Sequence, residues 1–116
     1  MTVTVALIQL DCSSREPVAE RIARAHTLIT EAAAKAQVVV LPELWHCGAF
    51  DIDAARANAE PIDGPLVTGL AAAAREHGIW LHGGSFAELD GGDHYNTSVL
   101  FTPDGRLAAS YRKIHL

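Results

Sequence analysis

The chain has 116 residues, 49% of them hydrophobic and 20% charged, with a net charge of −5. That is enough apolar mass for one ordinary globular domain and no more. Its 9 Lys and Arg lie scattered against 14 Asp and Glu, which excludes a nucleic-acid surface, and the Met1–Ile8 start carries neither a basic stretch nor a long apolar run, so neither a signal peptide nor a membrane span is predicted.

In chain order, residues 3–10 alternate Val3, Val5 and Leu7 before Ile8 and Leu10, which predicts a largely buried strand. Ser13 and Ser14 punctuate, and Pro17 suits a first helical turn, where its missing N–H would be unpaired anyway. Val18, Ile22, Ala25, Ile29, Ala32 and Ala36 then recur at helical spacing. Arg21, Arg24, Glu31 and Lys35 fall largely off that stripe, so an amphipathic helix with one buried face is expected. Val38-Val39-Val40-Leu41 reads as a central strand buried on both sides, ended by Pro42, which cannot donate to a ladder. Residues 46–64 read as irregular, with one short Ala-rich helical turn near Ala54–Ala59.

Gly64-Pro65 opens a second helix with Leu66, Val67, Leu70, Ala71 and Ala74 on one side, and Gly78 is placed to be its left-handed C-cap. Ile79–Glu88 is a strand interrupted by Gly83-Gly84. The turn Asp90–Asp93, the strand Tyr95–Thr102, the turn Pro103–Gly105 and the strand Arg106–Ile114 follow. The order alternates strand and helix at first and ends in antiparallel hairpins. A mixed-sheet α/β layer results, as a single domain over 1–116. No repeat or linker interrupts it. Two cysteines, Cys12 and Cys47, argue against a disulfide scaffold and fit a reducing cytoplasm.

Glu43 follows a buried strand and a rigid proline. In layered α/β proteins the crevice beyond the carboxyl ends of strands binds ligands. A carboxylate there, beside Leu44 and Trp45, should be partly desolvated and its pKa raised, as suits a general base. The alternative is a solvated loop carboxylate. Lys113 shares its parity with Leu107, Ala109 and Tyr111, which would set an ammonium on an apolar face in need of a partner. An edge-strand charge that discourages aggregation is the alternative.

Cys47, with His46 beside it and Glu43 nearby, is nominally a nucleophile arrangement, but adjacent residues seldom face one another, and a packed thiol is the stronger reading. Cys12 reads as structural. Trp45 and Phe50 could line a small-substrate pocket or simply pack in the core. The six histidines show no metal-ligand spacing. His82-Gly83-Gly84-Ser85 lacks the ending and the helix of a phosphate loop. Neither metal nor cofactor is expected, and Asn96 reads as fixing hairpin geometry.

The segments Leu41-Pro42-Glu43-Leu44, Tyr95-Asn96-Thr97-Ser98 and Tyr111-Arg112-Lys113-Ile114-His115-Leu116 resemble the carbon–nitrogen hydrolase (nitrilase) superfamily. The opening Val5-Ala6-Leu7-Ile8-Gln9 strand and the Gly64-Pro65 helix start are similar to it too, so the resemblance runs along the whole chain in order. It implies part of an α-β-β-α sandwich, with helices on one face of a mixed sheet, and hydrolysis of non-peptide C–N bonds. In that family a cysteine thiolate attacks the carbonyl carbon, a glutamate moves the protons and a lysine stabilises the oxyanion. Glu43 matches the base and Lys113 the oxyanion lysine.

The family's nucleophilic cysteine and a second, supporting glutamate lie downstream of the lysine motif, and Leu116 comes before either. The resemblance therefore implies the amino-terminal part of a cytoplasmic amidase-type enzyme acting on a small amide. By the same resemblance, the Leu44–Gly48 loop implies an ω-amide of a dicarboxylic acid as the substrate. The alternative is a catalytically inactive module whose open sheet takes a second copy or a complementary chain.

Overall fold

Consecutive β-branched residues lose side-chain freedom in a helix and pack well on a pleated sheet, and Val38–Val40 forms the strand β2 around which the rest is organised. The computed structural model describes residues 1–12, 16–48 and 50–114. Ser13 and Ser14, expected as punctuation, and His115 and Leu116, the end of the lysine motif, lie outside the described residues. The elements are β1 (Val5–Leu7), α1 (Val18–Ala33), β2, α2 (Ile52–Ala57), α3 (Pro65–His77), β3 (Trp80–Asp90), β4 (Asp93–Phe101) and β5 (Leu107–Arg112).

They build a five-stranded sheet in the order β1-β2-β3-β4-β5. β1, β2 and β3 run parallel, and β3, β4 and β5 are antiparallel neighbours, so the mixed α/β layer read from the sequence is what forms. Among the described residues no helix is long and apolar enough to cross a membrane.

Both long helices lie against the same face. The α1 stripe buries Ala25 and Ile29, and α3 buries Leu66, Val67, Leu70, Ala73 and Ala74. They cover Val39, Leu81 and Phe101, which stand side by side across the sheet. Gly64 and Pro65 start α3 as expected, and Glu60 Oε1 accepts from the otherwise orphaned Leu66 N–H at 2.9 Å. Gly78 ends it with φ 61°, and the Ile79 N–H returns to Ala74 O.

Some expectations need correction. β1 is three residues long, at the sheet edge, and both Val5 and Leu7 are exposed rather than buried. The reason is that only one face of the sheet is covered. For the same reason Val39 of β2 is buried while Val38 and Val40 are only half-buried. Pro17 caps α1 in an extended conformation instead of entering its first turn. Arg21, placed off the apolar stripe by its charge, is buried under the turn that follows β2, where its Nη1 donates to His46 O at 2.9 Å and its Nε lies 3.4 Å from Glu16.

Candidate active site

The ladder of β2 stops at Pro42, and the chain turns sharply through Glu43–Cys47. Leu44 sits in the left-handed region at φ 46°, a conformation that costs a side-chain-bearing residue on the order of 1–3 kcal/mol and persists only where neighbours hold it. Here they do. The Leu44 N–H donates to Ser85 Oγ at 3.0 Å, and the Trp45 indole N–H donates to Gly83 O at 3.0 Å. The Ser85 N–H donates to Pro42 O at 3.3 Å, while Arg21 grips His46 O from below.

On the β3 side the register slips between His82 and Ser85. Gly84, at φ 64°, lets the two backbones meet: a Cβ there would be driven into Pro42 O and would lie 2.8 Å from Leu41 O. The Gly83-Gly84 interruption visible in the sequence is therefore the seat of the Glu43 turn.

From that turn the Glu43 side chain reaches over the uncovered face of the sheet. Its Oε2 accepts from Lys113 Nζ at 3.0 Å and from Asn96 Nδ2 at 2.7 Å. Lys113 stands just past β5, where its N–H donates to Asn96 O at 2.9 Å. Ser98, Tyr111 and His82 complete a cleft of about 200 Å³ around the pair. A larger cavity of about 730 Å³ opens elsewhere, beside Phe50, Asp51 and Cys12. The smaller cleft is the candidate site because the ionisable groups converge there.

The electrostatics differ from expectation. The sequence predicts a raised pKa for Glu43; it is lowered, first by the hydrogen bond from Lys113 and then by that from Asn96, and the desolvation that opposes them ranks behind both. Its side chain is 53% exposed on the open face, too wet for burial to win. The free site thus holds an ionised carboxylate against an ammonium. Lys113 shares the open face with Tyr111, but it is about half exposed rather than set among buried apolar neighbours, and its partner Glu43 lies 70 residues away in sequence.

Cys47 does not join them. It is buried, and burial pushes its thiol up to about 11. Burial pulls the adjacent His46 down to about 4, so no imidazolium is present to favour a thiolate. Cys12 is half-buried with its thiol also raised, chiefly by burial. Neither cysteine lines the cleft. Trp45 is fully buried in the core, and Phe50 is fully exposed beside the larger cavity. Among the described residues no group of His, Cys, Asp and Glu gathers as a metal site would require.

Sequence reasoning missed Asn96 as a partner of Glu43 and Ser85 as the support of Leu44. Asn96 could have been noticed: it has the parity of Ser98 on β4, hence the face that Tyr111 occupies.

The carbon-nitrogen hydrolase family model matches residues 4–116. A 2-oxoglutaramate amidase of Paenarthrobacter nicotinovorans is 41% identical in a match of 115 aligned positions that covers 96% of this chain and 39% of that protein. An omega-amidase of Homo sapiens is 42% identical over 113 residues, 97% of this chain and 40% of that one. Among solved structures, a carbon–nitrogen hydrolase superfamily protein of Xanthomonas campestris superposes with a TM-score of 0.84 at 28% identity, covering 98% of this chain and 41% of its own. A nitrilase-superfamily member of Saccharomyces cerevisiae gives 0.81 at 32% identity, covering 96% and 44%. The chain spans about two fifths of the length of the curated relatives it matches.

Proposed function

The chain belongs to the carbon–nitrogen hydrolase family, and on that premise we propose that it carries the general base and the oxyanion-stabilising cation of an amidase site. The reaction is hydrolysis of a small amide to an acid and ammonia. The single observation that carries the reading is the Glu43–Lys113 pair, closed at 3.0 Å in a cleft on the uncovered face.

Glu43 is the base. It takes the proton of an attacking thiol as the S–C bond forms and the carbonyl electrons move onto oxygen. Lys113 answers the negative charge developing on that oxygen, where a fixed cation helps most. The C–N bond then breaks, Glu43 gives its proton to the departing nitrogen, and a second proton abstraction lets water cleave the thioester and restore the thiol. The lowered pKa of free Glu43 fits this sequence. As the oxyanion takes up the charge of Lys113, the carboxylate is left with Asn96 as its remaining partner and becomes a better base. The thiol is not Cys12 or Cys47, since neither reaches the cleft. It comes from a segment other than these 116 residues, on the same polypeptide or a complementary one.

The substrate class is an ω-amide, in keeping with relatives named omega-amidase and 2-oxoglutaramate amidase, processed in the cytoplasm. Trp45 serves by holding the Glu43 turn from inside, whereas Phe50 lies beside the larger cavity and does not line the cleft. In protein that contains the nucleophile, Glu43→Gln and Lys113→Ala should each lower ammonia release from such an amide by at least about 100-fold with an unchanged circular dichroism spectrum. Turnover like that of the wild type in either variant refutes the roles. Affinity capture from the source cell with intact-mass measurement distinguishes a polypeptide larger than 12.4 kDa from a complementary chain.

One observation favours a second reading. Val5, Leu7, Trp80 and Tyr111 are exposed on one sheet face, as in a non-catalytic module that pairs with itself or with a complementary chain. A compact 12.4 kDa monomer in sedimentation would count against it.

A further inference from the structure

We propose that Arg112 is a positioning residue for Lys113, clamped by the buried Glu88 so that a network on the helix side of the sheet fixes the cation on the open side. The inference rests on the reading of Lys113 as the site's cation.

Arg112 and Lys113 are neighbours in an extended segment, so their side chains leave on opposite faces. Lys113 goes to Glu43. Arg112 goes the other way and makes a fork: Nε donates to Glu88 Oε1 at 2.9 Å and Nη2 to Glu88 Oε2 at 3.0 Å. Nη2 also donates to Asp90 Oδ2 at 2.8 Å, and the guanidinium lies 3.9 Å over the Tyr95 ring. Glu88 is only 3% exposed and accepts a further bond from Thr97 Oγ1 at 2.7 Å. Its strand is held from the far side as well, because the Glu60 N–H donates to Ala87 O and the Glu60 main-chain O accepts from the Leu89 N–H. The anchor is therefore rigid, and a planar two-point fork fixes orientation as well as distance.

The need for such an anchor is visible in β5. Every residue of that strand is exposed, so no fully buried apolar side chain holds it to the sheet. Its attachment is the ladder to β4 and the Arg112 clamp. Arg112 is the last ladder partner, opposite Thr97, and the next bond along is Lys113 N–H to Asn96 O. Asn96 in turn donates its side chain to Glu43. Loosening the fork frees the backbone from which a flexible, half-exposed lysine must reach a single oxygen. Were the fork an ordinary surface ion pair, its loss would be felt only locally. A carboxylate as buried as Glu88 makes that reading poor.

The test reads the Glu43 carboxyl titration by carbon-detected NMR in the full chain, with amide exchange along β5 as the control for strand pairing. Lys113→Ala sets the full upward shift of the Glu43 midpoint. Arg112→Met should reproduce about half of that shift or more, with β5 amides still protected, and Arg112→Lys, which keeps the charge but loses the fork, should fall between. An unmoved midpoint in Arg112→Met beside a full shift in Lys113→Ala overturns the positioning role and leaves the ion pair standing. An unmoved midpoint in Lys113→Ala strikes the ion pair itself and the inference with it. If β5 protection collapses in Arg112→Met, Glu88→Gln decides by the same two readouts, and collapse there too makes the network purely structural and overturns the proposal.

Discussion

The two faces of the sheet are built from similar residues and serve opposite ends. On the helix side Val39, Leu81 and Phe101 are sealed beneath α1 and α3. On the opposite face Val5 and Leu7 of β1 and Trp80 of β3 look out, Leu7 with 74% of its surface exposed. Hydrophobicity does not separate the sets; coverage does. The helix side supplies the burial that stabilises the layer, and the open side carries Glu43, Asn96 and Lys113. Because side chains alternate, each open-side group is backed by a helix-side neighbour: Phe86 behind Ser85, Thr97 beside Asn96, Arg112 before Lys113. Chemistry on one face is thus aimed by packing on the other.

The largest effects should test that division directly. Leu81→Ala removes a fully buried side chain and should cost about 2–5 kcal/mol in denaturant unfolding. Leu7→Ala, on the open face, should cost about 0.5 kcal/mol or less. Comparable losses would break the comparison, by showing that the open face is covered in solution. Repeating the measurement across protein concentrations would then reveal whether a second copy is the cover. Next in size is Gly84→Ala, which meets the β2 exit backbone at a positive φ. It should cost about 1–3 kcal/mol, and by displacing the Glu43 turn it should also raise the Glu43 titration midpoint. Destabilisation without that second change would mean that the bulge supports the layer but not the site.

Much of this arrangement was legible because its signals are local. Gly64-Pro65 and Gly78 bracket α3 through backbone properties of those residues alone, and Gly83-Gly84 announced the break in β3. The hairpins followed from turn residues between alternating runs. What was not legible depends on contacts distant in sequence. Arg21 looked like a surface charge until the His46 carbonyl, 25 residues on, came to lie over it. Asn96 meets Glu43 across 53 positions and Lys113 across 70, so the sequence could nominate the carboxylate but not the direction of its pKa shift. The exposure of β1 escaped for a related reason. A run of Val and Leu reads as buried wherever a cover exists, and only the placement of the helices shows which face has one.

The smallest effect sharpens the comparison most finely, because it asks what the open-side pair contributes to folding. Glu43 has a folded pKa below its ordinary value. Its contribution is therefore present above the unfolded pKa, about 4.3, and disappears as pH falls through the lower folded value. Lys113→Ala removes the first cause of that shift. The variant should be less stable than the wild type at pH 7, and the gap should close as pH falls below about 4. The two side chains are about half exposed, so the gap at pH 7 should stay under about 1 kcal/mol and shrink further in concentrated salt. Urea melts from pH 3 to 7 would measure it. A gap of several kcal/mol would place the pair in a desolvated setting, which requires a cover over the open face. A gap that widened as pH fell would contradict the sign of the Glu43 shift and the ion pair with it.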